Sequence, residues 1–297
     1  MRVLAPAKVN LFLRIIGQRP DGYHLLDSLM APVSLYDEIE IVTDRTVGTE
    51  PHISVQCNDP TILTDQSNLA YRAAALLCQE AGIGAHITIT LQKNIPAGAG
   101  LGGGSSDAAA VLKALNQAFS LGLNTDHLCR LAAQLGADIP FFIPCQLARV
   151  GGIGEILTLL PVLPQRWLVI VAPTFPVSTP WAYQRFDALQ LDSPEPQLHA
   201  IDRTSPLAPK QWPDAALFVN DLEQAVLPEY PLIAARKKQL TALGAEVALM
   251  SGSGSAVFGI FMTQQAATHA ATTLAGSENV FVVTLLEQAA AQLTVDP

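Results

Sequence analysis

Apolar and polar residues alternate over residues 2–16. Val9, Leu11, Leu13 and Ile15 share one face and Lys8, Asn10, Phe12 and Arg14 the other, which is the two-residue period of a strand. Ile87, Ile89 and Leu91 alternate with Thr88, Thr90 and Gln92 in the same way, and Ile39 with Ile41 predicts a strand over Asp37–Thr43. The unbroken apolar run Trp167–Ala172 predicts a strand buried on both faces. Helical spacing takes over at Leu69, Ala70, Ala73, Leu76 and Leu77, behind Ser67 as a cap. It recurs at Val111, Leu112, Leu115, Ala118 and Phe119, and again over Asp126–Leu135. Prolines and polar residues from Leu189 to Asp214 predict a long surface connection. Asp221–Gln239 reads as helix divided by Pro228 and Pro231. Val247–Phe261 reads as two strands around a glycine-serine turn, followed by a helix from about Gln264 and a strand at Val280–Val283.

These strands are not spaced as regular βαβ units. The pattern predicts an α+β fold, helices packed on mainly antiparallel sheets, rather than a doubly wound parallel sheet. A break at Gly151-Gly152 divides the chain into residues 1–155 and 156–297, with the active cleft expected between the halves. At 297 residues, with 49% hydrophobic and 14% charged side chains, the chain can bury a large core as one big domain or two.

A net charge of −9 argues against nucleic acid as a partner, because phosphate neutralisation needs clustered lysine and arginine. Cys57, Cys78, Cys129 and Cys145 lie far apart without a C-x-x-C pair, which predicts unpaired thiols in a reducing compartment. No apolar run approaches the roughly 20 residues of a membrane span, and the N-terminal residues have no signal architecture. The expectation is a cytoplasmic protein without a membrane partner.

The densest chemistry lies at Ile95-Pro-Ala-Gly-Ala-Gly-Leu-Gly-Gly-Gly-Ser-Ser-Asp-Ala-Ala-Ala110. Glycines at 98, 100, 102, 103 and 104 let the backbone turn and approach a ligand, and the helix after them offers free N–H groups to phosphate. No lysine precedes Ser105 or Ser106, so this is not a G-x-x-x-x-G-K-[ST] loop. Asn94, Ile95 and Pro96 separate it from its strand, unlike a dinucleotide fingerprint. The candidate phosphate-binding residues are Pro96, Ala97, Gly98, Ala99, Gly100, Leu101, Gly102, Gly103, Gly104, Ser105 and Ser106.

This loop resembles that of the GHMP kinases (galactokinase, homoserine kinase, mevalonate kinase and relatives). The likeness extends to Ala5-Pro-Ala-Lys-Val-Asn10, Asp21-Gly-Tyr-His-Leu25, Leu135-Gly-Ala-Asp-Ile-Pro-Phe-Phe142, Gly152-Ile-Gly-Glu155 and Ser251-Gly-Ser-Gly-Ser255. Pro144-Cys145 departs from the pattern, which implies a polar residue and a glycine there. The resemblance implies the two-domain GHMP fold, ATP with Mg²⁺ as cofactors, and a small-molecule hydroxyl as phosphate acceptor. The motifs are most similar to those of the member acting on CDP-methylerythritol.

On the residues alone, Asp138 is a base or a turn aspartate, and Lys8 is a functional ammonium or a lysine on a solvent face. The resemblance implies catalysis for both. It pairs Asp138 as general base with Lys8 and places Asn10 on the substrate side, where alternation already aims it with Lys8. Ser105 and Ser106 read as Mg²⁺ ligands, phosphate donors or helix caps, and Asp107 as a first-turn aspartate favoured by the helix dipole. Tyr23 and His24 are implied at the cytidine, with Tyr183 as the facing aromatic and Trp181 as its neighbour. Ser251–Ser255 reads as a tight hairpin or a second glycine loop on the cleft. The competing readings are a homoserine- or mevalonate-type kinase and a non-catalytic nucleotide- or RNA-binding module on the same fold.

Overall fold

The computed structural model describes residues 1–189, 212, 215–276 and 278–286. The chain opens with two long strands, β1 (Arg2–Gln18) and β2 (His24–Arg45), followed by β3 (His52–Cys57), α1 (Leu69–Ala81) and β4 (Ala85–Gln92). Next come α2 (Gly103–Ala118), α3 (Thr125–Leu135), a 3-10 turn at Pro140–Phe142, β5 (Ala148–Gly151) and β6 (Ile156–Leu159). The remainder is β7 (Trp167–Ala172), α4 (Thr179–Ala188), α5 (Glu223–Val226), α6 (Pro231–Ala242), β8 (Val247–Met250), β9 (Val257–Phe261), α7 (Gln264–Leu274) and β10 (Asn279–Thr284).

One sheet runs β3-β4-β2-β5-β6, with β1 paired to β2, and the other runs β10-β7-β9-β8. Pairing is antiparallel except between β3 and β4, which α1 joins as a single crossover. The expected α+β class is what the chain adopts. α1 and α2 cover one face of the first sheet through Ala73, Leu77, Val111 and Leu115, and α3 packs on these two helices. A second core joins the sheets, with Val9, Leu11 and Val33 meeting Leu168, Ile170 and Phe258.

That shared core changes the reading of β1. Its apolar face is buried as expected, but so is the other: Lys8 is 3% and Asn10 0% exposed. The strand stays paired to β2 through register shifts at Pro6/Ala7, Asn10/Phe12 and Ile15/Gly17, which re-aim side chains along its length. β2 begins at His24, far ahead of the expected Asp37, because both its faces are buried near the middle and no two-residue alternation marks them.

The α1 cap is Asn68, whose side chain accepts from the Ala70 N–H at 2.9 Å; Ser67 bonds Asp65 instead. α2 starts at Gly103 after a left-handed Gly102 and has no side-chain cap, so Ser105 and Ser106 lie inside its first turn. β3, β5, β6 and α4 carry too weak a period to announce themselves. The division at Pro228 and Pro231 is present, with α5 before it and α6 after it. Of the expected connection Leu189–Asp214, residues 190–211, 213 and 214 lie outside the described residues. Cys145 takes φ +48°, the left-handed conformation that a glycine would adopt freely at this departure from the family pattern. Among the described residues no helix is long and apolar enough to cross a membrane.

Candidate active site

A cleft of about 1010 Å³ opens where the glycine loop, β1 and the start of α4 converge. Asp138 lines it from the turn after α3, where the helix stops at Leu135 and Gly136 takes an extended conformation. Lys8 reaches it from β1. Burial pushes the Lys8 ammonium below the ordinary lysine range, and the Asp138 carboxylate pulls it partly back. Its direct partner is the Asn10 side-chain oxygen at 2.6 Å. The Asn10 amide donates to Ser28 Oγ at 2.9 Å, and Ser28 donates to the Phe12 carbonyl at 2.6 Å. Lys8 is thus aimed by a relay across β1 and β2.

Gly252 lies over this relay with φ +55°; a Cβ there would sit 3.3 Å from Lys8 Nζ and 3.5 Å from Asn10 Oδ1. Asn220, which no motif or period singles out, holds that loop. Its buried amide donates to the carbonyls of Met250 at 2.8 Å and Gly252 at 2.7 Å. Thr179 also lines the cleft and shares a 2.8 Å hydrogen bond with Ser253 Oγ.

The glycine loop lines the cleft with Pro96, Ala97, Gly98, Ala99 and Gly100, and then with Gly102, Gly103, Gly104 and Ser105. Two of its expected ligand residues face elsewhere. Leu101 is 1% exposed in the core between the sheets, and its carbonyl accepts from the Lys8 N–H at 2.9 Å. Ser106 is 1% exposed, and its hydroxyl has no protein partner. Gly100 has φ +77° and lies against the Ser251 carbonyl so closely that a methyl group there would overlap it. Ser251 Oγ in turn donates to the Gly100 carbonyl at 3.0 Å.

Beneath the loop lies a charged cluster. Lys93 bonds both Asp37 and Asp107, and all three side chains are nearly inaccessible, at 6%, 0% and 4%. Asp37 also accepts the N–H groups of Asn94 at 2.6 Å and Ile95 at 2.8 Å, fixing the joint between strand and glycine loop. Asp107 is therefore not a solvated first-turn aspartate. Burial pushes its carboxyl up to about 7 against the pull of Lys93. A lysine ending an alternating strand and an aspartate opening a helix were visible in the sequence, but not that they meet.

At the far end of the cleft His24 and Tyr183 stack, with ring centroids 4.8 Å apart and 24° between planes. His24 Nε2 is 2.7 Å from Asp187 Oδ1. Burial, and then the charge of Asp138, pushes the Tyr183 phenol above its ordinary value. A base inserted between these two rings would need roughly twice their separation, so the face of Tyr183 that His24 covers is already taken. Tyr23 lines the cleft at 60% exposure, whereas Trp181 packs edge-on against Tyr230 at 5.3 Å.

Comparison with known proteins extends this picture. Residues 68–145 match the GHMP kinases N terminal domain and residues 209–277 the GHMP kinases C terminal model. The chain is 41% identical to the 4-diphosphocytidyl-2-C-methyl-D-erythritol kinase of Citrifermentans bemidjiense, over 95% of this chain and 96% of that one. It is 46% identical to the enzyme of the same name from Syntrophotalea carbinolica, over 91% and 93%. A crystal structure of 4-(cytidine 5'-diphospho)-2C-methyl-D-erythritol kinase superposes with a TM-score of 0.78 at 38% identity, covering 96% of this chain and 99% of that one. The homoserine kinase of Cytophaga hutchinsonii shares the fold, with a TM-score of 0.69 at 18% identity over 97% and 95%.

Proposed function

The chain belongs to the GHMP kinases, in the company of the 4-diphosphocytidyl-2-C-methyl-D-erythritol kinases, and from that premise we propose the reaction it carries out. It transfers the γ-phosphate of ATP to the 2-hydroxyl of 4-diphosphocytidyl-2-C-methyl-D-erythritol, giving the 2-phosphate and ADP. This is a cytoplasmic step of the non-mevalonate route to isoprenoid precursors. The observation that carries the reading is the buried Lys8 ammonium, aimed by Asn10 and within electrostatic reach of Asp138, in the same cleft as the glycine loop.

Phosphoryl transfer asks the protein mainly for positioning and charge stabilisation. Asp138 accepts the proton of the attacking hydroxyl. The Lys8 charge offsets the negative charge growing on the acceptor oxygen. The glycine loop and the first turn of α2 offer backbone N–H groups to the polyphosphate. Mg²⁺ suits this site. Ser105, which lines the cleft beside the glycine loop, is the residue that would hold it. The ion would neutralise phosphate charge, and it needs few protein ligands when the nucleotide supplies others.

A cleft of about 1010 Å³ has room for an acceptor beside the nucleotide. Tyr23, His24 and Tyr183 at its far end hold the cytidine. ATP consumption measured separately with CDP-methylerythritol, homoserine and mevalonate tests the reading. Turnover is expected with the first alone; turnover only with homoserine or mevalonate overturns it.

A further inference from the structure

The His24 ring is held from two directions by one helix. Tyr183 covers its face at 4.8 Å, and Asp187 takes its Nε2 at 2.7 Å. These two residues stand one turn apart on α4 and so present side chains to the same place. The ring itself begins β2, 163 residues from Asp187, and only 11% of its side chain is exposed. All three line the cleft.

A carboxylate can only accept, so the proton of the His24–Asp187 bond sits on Nε2. In the neutral ring this leaves Nδ1 as a bare acceptor in a wall of the cleft. We propose that Asp187 is a positioning residue: it fixes the His24 tautomer and rotation, making Nδ1 an acceptor that selects an amino-bearing base over an oxo-bearing one. This rests on the reading that His24 holds the cytidine of the acceptor, and it adds the residue that fixes the ring for that contact. The 4-amino group of cytosine would donate to Nδ1. The 4-oxo group of uracil would bring a second lone pair against it, leaving both unpaired.

The test titrates CDP and UDP by calorimetry into the native protein and the variants Asp187→Ala, Asp187→Asn and His24→Ala, with the ATP site filled by a non-hydrolysable ATP analogue. The native protein should prefer CDP by roughly ten-fold, about what one well-placed hydrogen bond supports. Asp187→Ala should lose most of that preference. Asp187→Asn should keep it, because an amide oxygen accepts the same Nε2–H. The ¹⁵N spectrum of His24 should show the Nε2–H tautomer in the native and Asn proteins and a mixture in the Ala variant. A full CDP preference in Asp187→Ala, an equal loss in Asp187→Asn, or a native preference for UDP overturns the role of Asp187. If instead the native protein shows no preference and His24→Ala binds CDP as the native does, the placement of the cytidine itself is wrong. Asp187 is on the exposed side of α4, so circular dichroism should report an unchanged fold in its variants.

Discussion

Replacing Lys93 with methionine tests whether the cluster beneath the glycine loop is an electrostatic device or incidental packing. Lys93 is the cation that Asp37 and Asp107 share, and all three side chains are withdrawn from water. Methionine keeps much of the volume and removes the charge, leaving two buried carboxylates facing each other. Removing one partner of a buried ion pair costs about 3–5 kcal/mol, because the remaining charge is uncompensated. For a chain of this size that corresponds to a melting temperature lower by about 5–15 °C.

The pH dependence carries a sign. The Asp107 carboxyl is raised from its ordinary 3.8 to about 7 in the folded protein. Between those values the folded chain holds a proton that the unfolded chain has released, so its contribution to stability falls as pH rises through that window. Lys93 itself is held charged throughout: burial lowers its affinity for the proton, but the two carboxylates raise it by more. Without the lysine, Asp107 is driven higher still. At pH 5 its protonated carboxyl can donate to Asp37 in place of the ammonium, whereas at pH 8 it either holds that proton against the solution or ionises against a like charge, and both cost stability. Melting curves of the native and Lys93→Met proteins without nucleotide should therefore show a larger deficit at pH 8 than at pH 5. Adding Asp107→Asn should recover part of the deficit at pH 8. An equal deficit at both pH values, or a variant as stable as the native protein, would refute the electrostatic account.

Three further outcomes follow from the site. Asp138→Asn should bind both substrates yet turn over roughly 10²–10⁴-fold more slowly, as expected for loss of a positioned base; near-native kcat removes Asp138 from that role. Gly100→Ala forces a side chain into a left-handed position against the Ser251 carbonyl, and should both lower the melting temperature and raise the KM for ATP. A benign Gly100→Ala would show that the two glycine loops do not press together in solution. Tyr183→Ala removes one stacking face, worth about 1–3 kcal/mol, so the acceptor KM should rise about five- to a hundred-fold while the KM for ATP stays put. A defect confined to ATP would move the cytidine end of the cleft elsewhere.

Local pattern by itself determined the α+β class, the strand at Ile87–Leu91, the helix after the glycines and the buried run Trp167–Ala172. It also determined that Lys8 and Asn10 share a side of β1, which their 2.6 Å hydrogen bond bears out. These features follow from periods of 2 and 3.6 residues and from glycine's freedom, which neighbouring positions encode without help from the rest of the chain. Tertiary structure decided what those residues touch. It buried both faces of β1, brought Asp37 to Lys93 across 56 positions and laid Gly252 over Lys8. It turned Leu101 and Ser106 out of the cleft wall, and stacked His24 on Tyr183. Sheet order and the packing of one sheet on the other set these pairings, and a one-dimensional period carries no record of which strand will lie beside which.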